Sequence, residues 1–185
     1  MTKSLSRSLR RVLDIETGWS ISLREANAIL EVVYLAAAVD GTIEADEIEG
    51  FRAIAEELLA RVGSNAIEAS EVVDYRSALN EGSGLHEVEA LSDASLNQLL
   101  DRFSAQEAHK SFAERLRSLG PELSRTLTRS IAYKLAFALS VSDLNVAPEE
   151  TAFQAALAEV LGLSVDDAEA LEGQVFLALE DPEPA

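Results

Sequence analysis

Two short clusters of acids are the residues whose type and spacing bear on chemistry. In "AAAVDGTIEADEIEGF", residues 36–51, Asp40 precedes Gly41, and Asp46 and Glu47 follow six and seven positions later. In "LSVSDLNVAPEE", residues 139–150, Asp143 stands at the same offsets from Glu149 and Glu150. Carboxylates so grouped are hard oxygen donors for a divalent cation. The first cluster matches the second half of an EF-hand loop, with Asp40, Gly41, Ile43 and Glu47 at the fifth, sixth, eighth and twelfth positions. The first half of that loop is missing, because Ala36 and Ala38 stand where oxygen ligands belong. Leu139 and Val141 fail in the same way in the second cluster, and Leu144 replaces the glycine of the turn. Calcium takes roughly six to eight oxygens, so neither turn is a complete EF-hand.

The acids have two competing explanations. Asp46 and Glu47 begin a helix, as do Glu149 and Glu150 after Pro148. Carboxylates in a first turn complement the helix dipole by about 0.3–1 kcal/mol each. Asp40 differs, because it stands at the end of the preceding helix, where the dipole disfavours an anion. An Asx-type turn, a basic neighbour or a cation would offset that. Asp143 has the same placement. If the two clusters face each other, Asp40, Glu47, Asp143 and Glu150 form one oxygen-rich metal site, with Asp46 and Glu149 as secondary ligands. The identity of the cation is left open.

The elements that must position these residues are helices. Alanine, leucine and glutamate dominate, and no alternating strand pattern is present. The pattern predicts helices near 4–14, 22–39, 45–62, 65–80, 93–103, 105–118, 122–141, 148–161 and 165–180. Ser22 and Glu25 form a capping box, and Gly41 suits a left-handed helix end. Gly63, Gly82, Gly84 and Gly120 fall at other breaks. Pro121 and Pro148 stand where first helical turns begin, and Ser164-Val165-Asp166-Asp167 reads as another helix start. The stretch 80–92 reads as a linker. A shift of 103 residues lays "YLAAAVDGTIEADEIEGFRAIAEEL" (34–58) over "FALSVSDLNVAPEETAFQAALAEVL" (137–161), with acids and apolar positions in register. The expected architecture is all-α: one helical-bundle domain over 21–180, with two repeated helix–turn–helix halves near 21–80 and 121–180. A basic amphipathic arm at 1–20 precedes it, and a frayed tail at 181–185 follows it.

The first of these stretches resembles the signature of TerB-like tellurite-resistance proteins: an apolar helix, an alanine-Asp-Gly turn and an acidic helix start. "AFALSVSDLNVAPEETAFQAALAEVLGLS" is similar to the second half of the same domain. The resemblance covers roughly 22–62 and 122–180, and the middle matches only as helix. It implies an internally duplicated all-helical domain, a role in tellurite and chemical-stress resistance, and metal binding by acidic residues. Asp40, Asp46 and Glu47 would supply the first acidic turn, and Asp143, Glu149 and Glu150 the second. Ser142-Asp143-Leu144 departs from the expected Ala-Asp-Gly. The fold also occurs as the central region of DjlA-type co-chaperones, as an interaction module. No His-Pro-Asp motif of a J-domain is present.

Composition narrows the function classes. Net charge is −18, yet residues 1–13 carry +4 and the remainder −22. Such a body repels phosphate backbones and attracts cations and basic partners, so no nucleic-acid partner is expected. The chain has no cysteine, no visible secretory signal and no apolar run long enough for a membrane span, which together suggest a cytoplasmic protein. No Gly-x-Ser-x-Gly elbow, phosphate loop or His-Glu-x-x-His pattern supports enzyme activity. His86 and His109 read as ordinary surface or packing residues. Trp19, Tyr34, Phe137 and Phe176 fall at positions that helical spacing would bury. The arm "MTKSLSRSLRRVL" places Leu5, Leu9, Val12 and Leu13 on one face. Folding back onto the acidic body is favoured over lying on an anionic membrane surface or remaining a disordered tail. Two functions remain: a cation-binding stress-response protein of the TerB-like kind, or a metal-independent acidic module docking a basic or membrane-associated partner.

Overall fold

In Leu23–Ala37, buried positions run almost all round the helix, and Thr126–Ser140 repeats this. Helices apolar on every side belong at the centre of a bundle. The computed structural model describes residues 9–13, 19–62, 92–107, 111–141 and 148–180. Within them lie α1 (9–13), α2 (Leu23–Ala37), α3 (Ala45–Ala60), α4 (Asp93–Glu107), α5 (Phe112–Leu119), α6 (Thr126–Ser140), α7 (Pro148–Leu161) and α8 (Val165–Glu180). Among the described residues the fold is all-helical, apart from an isolated bridge between Ile21 and Val62. The expected helix at 65–80, the breaks at Gly63, Gly82 and Gly84, most of the 80–92 linker, both histidines and the 181–185 tail lie outside those residues.

α2 packs most extensively against α6, and the remaining helices wrap this pair: α3, α4 and α5 on α2, α7 and α8 on α6. The pair runs in the same sense. At its N-terminal end, Arg125 grips Glu25 with both arms, Nε to Oε1 at 2.6 Å and Nη2 to Oε2 at 2.8 Å. Arg24 pairs with Glu122 beside it. At the far end, the starts of α3 and α7 lie close enough for Glu47 and Glu150 to repel each other. Tyr34, Phe51 and Phe103 tie α2, α3 and α4 together, with ring centroids 5.4 Å and 6.3 Å apart. Arg115 of α5 is buried, reaches Glu31 with Nε at 3.1 Å, and lies over the Tyr34 ring.

The N-terminal segment joins the same core. Leu9, Val12 and Leu13 are buried with Ile29 and Leu30, while Arg10 reaches out to Glu56 and Glu57. Helix starts follow the polar punctuation. Ser22 Oγ accepts the Glu25 N–H at 3.1 Å, and Glu25 Oε2 accepts the Ser22 N–H at 2.9 Å. Ser164 and Asp167 form the same exchange at α8.

Two boundaries differ from expectation. Instead of a helix at 105–118, α4 continues to Glu107 and α5 starts after Ser111, whose N–H donates to Glu114 Oε2 at 2.9 Å. The serine cap outweighs the helical propensity around it. The 122–141 helix begins at Thr126, because Arg125 is extended (φ −86°, ψ 141°) with its side chain committed to Glu25. Pro121 therefore sits in the turn after Gly120, not in a first helical turn. Tyr34 is buried as expected, and Trp19 and Phe137 pack partly into the core. Phe176 does not, being 46% exposed.

Candidate cation site

The turn between α2 and α3 is built from its backbone outward. α2 closes at Ala38, whose N–H donates to Tyr34 O at 2.9 Å, and Gly41 N donates to Ala38 O at 3.0 Å. Gly41 has φ +90°, a conformation that side chains disfavour. A Cβ there would meet nothing within 4 Å, so conformation alone requires the glycine. The chain then turns under Asp40. Its Oδ1 accepts the Thr42 N–H at 2.9 Å, and the Thr42 hydroxyl lies 3.2 Å and 3.3 Å from the two carboxylate oxygens. Of the three ways to offset an anion at a helix end, an Asx-type turn is therefore in place.

Two residues further on, the Glu44 N–H donates to Glu47 Oε2 at 2.7 Å, closing the start of α3. Glu47 is half-buried, whereas Asp40, Glu44 and Asp46 are exposed. Burial pushes the Glu47 carboxyl up to about 7, and the charges of Asp40, Glu44 and Glu150 add to the rise. The bond from the Glu44 N–H opposes the rise without cancelling it. Glu150 comes from the first turn of α7, so the acidic helix starts of the two clusters lie within electrostatic reach of each other. Glu149 is exposed beside it. Asp143, the fourth member of the expected set, lies outside the described residues.

The arrangement brings Asp40, Glu47 and Glu150 into one electrostatic neighbourhood and leaves Asp46 and Glu149 facing solvent. Glu44 is a member that sequence reasoning passed over. Its signal was the Glu44-x-x-Glu47 spacing, a capping-box pattern with an acid in the serine position. Among the described residues, no group of three or more His, Asp or Glu side chains is arranged to hold a metal ion. The donors fit a hard cation by type, since all are carboxylate oxygens. Chemically, the site is a place where added positive charge, from a proton or a cation, relieves repulsion in a partly dehydrated setting. No family model matches the chain, and no curated protein or solved structure matches it.

Proposed function

We propose that the chain binds a divalent cation between the α2–α3 turn and the start of α7, as the stress-response role of a TerB-like protein would require. The observation that carries this reading is the crowding of Glu47 by Asp40, Glu44 and Glu150, contributed by both acidic clusters. Helix capping alone accounts for carboxylates at each helix start, but not for bringing two such starts together. The internal duplication is part of the same proposal. α2 is followed by α3 and α6 by α7, and the two lead helices run side by side in one sense. Asp143, at the position matching Asp40, would complete the oxygen set. Because Glu47 holds its proton to about pH 7, cation binding there releases a proton and tightens from pH 6 to pH 8.

Thermal melts with calcium, magnesium, manganese and zinc provide the test, in wild type and in Asp40→Asn/Asp143→Asn and Glu47→Gln variants. A cation that binds only the native state raises the wild-type Tm by mass action, and the variants lose that shift. No shift with any of the four metals, or an equal shift in wild type and variants, sinks the reading.

A further inference from the structure

The large apolar side chains left exposed among the described residues all lie on α8: Val165 and Leu177 at 72% and Phe176 at 46%. The opposite side of α8 is anchored. Ala168 and Val175 are buried, and Tyr133 donates its hydroxyl to Glu172 at 2.6 Å; Phe176 stands at the border, one part of its ring edge-to-face with Phe137 at 5.4 Å and 89° and the rest exposed. Val165 and Phe176 are eleven residues apart, close to three whole turns, so they share a side of the helix. Gly173 lies one turn before Leu177, and a Cβ added there would meet nothing within 4 Å. A glycine inside an exposed helix is destabilising relative to alanine. Among the described residues, no packing contact requires it.

The same side carries exposed acids, Asp166, Glu169 and Glu180, and α8 has no lysine or arginine. The charge bias is regional. From Ser130 to the end there are eleven acids and one basic residue, Lys134, which is buried. This combination selects its occupant. The acids repel anionic lipid headgroups and like-charged copies of the same helix. Leucine-type side chains fit against Phe176 and Leu177, a helix backbone can approach at Gly173, and flanking lysines or arginines meet the acids. We propose that the outward face of α8 docks a basic amphipathic helix of another protein. This surface does not depend on the cation site.

The test is fluorescence anisotropy with a labelled leucine–lysine peptide designed as an amphipathic helix, titrated with the full chain at low and physiological ionic strength. Binding that weakens with salt is expected, and Leu177→Ser should weaken it about tenfold or more. Leu177 is exposed, so that variant keeps the wild-type melt. Gly173→Ala should raise the Tm while weakening the peptide, a pairing that a merely structural glycine would not give. Asp101→Asn, at an exposed position on α4, should change neither. The proposal is overturned if Leu177→Ser binds the peptide as wild type does, or if Asp101→Asn weakens binding equally. It is also overturned if the function of the face is self-association or attachment to phosphatidylglycerol vesicles, either one abolished by Leu177→Ser.

Discussion

Glu47 joins three roles in one side chain: it closes the start of α3, it is half-buried, and it faces three other carboxylates. Its folded-state value of about 7 lies above the ordinary 4.5. The folded state therefore holds a proton that the unfolded chain releases, and stability falls as pH rises from about 4.5 to about 7. Solvent screening of a half-buried group reduces the effect to roughly 1–2 kcal/mol. Glu47→Gln should thus be more stable than wild type at pH 8, with the difference fading by pH 5, as read by urea unfolding at both pH values. A constant difference would show that the carboxylate crowding has no energetic effect. Arg115 and Glu31 form the opposite kind of charge site, deep in the core, with Arg115 only 1% exposed. Removing one member of a buried pair costs roughly 3–5 kcal/mol, because the other charge is left stranded. Glu31→Ala should lower the unfolding free energy from urea titration by that amount, and Glu31→Ala/Arg115→Met should recover part of the loss.

At the scale of elements, two glycines mark opposite situations. Gly120, after α5, would place a Cβ 3.0 Å from the Val160 carbonyl oxygen and 3.2 Å from its Cγ1 on α7. The carbonyl is part of a helix and cannot move aside alone, so Gly120→Ala should destabilise by about 1–3 kcal/mol in thermal or urea melts. Gly173 on α8 has open space, and Gly173→Ala should stabilise by about 1 kcal/mol through helix propensity alone. Sequence alone marked Gly120 as a helix break, which it is, but not its close approach to Val160, and it did not single out Gly173. Caps were easier to read. Ser22, Gly41, Pro148 and Ser164 each mark a real helix end, because a cap is decided by a few neighbouring residues. Pro121 misled, because the start of α6 is set by Arg125 gripping Glu25, a contact across 100 positions. Ser111 carried a readable capping box, masked by the helical composition on both sides.

For the whole molecule, the N-terminal segment and the charge imbalance matter most. Leu9, Val12 and Leu13 are each at most 2% exposed, inside the same core as α2. Burying such side chains contributes roughly 1.5–3 kcal/mol each, so deleting residues 1–13 should cost several kcal/mol in urea unfolding. An unchanged midpoint would mean that the packed leucines contribute nothing. With a net charge of −18, self-repulsion opposes the folded state. Sodium chloride should therefore raise the Tm of wild type, by an amount that shrinks in variants with fewer acids. For the described residues, the sequence by itself determined that they are helical, where most of those helices begin and end, and which acids stand at those ends. These depend on composition, periodicity and caps, all local along the chain. Only the tertiary structure decided that α2 and α6 run side by side in one sense, that Glu47 feels the charge of Glu150, that Arg115 finds Glu31, and that Phe176 stays exposed. Those outcomes follow from which apolar faces bury one another, and distant residues meet only once that packing is complete.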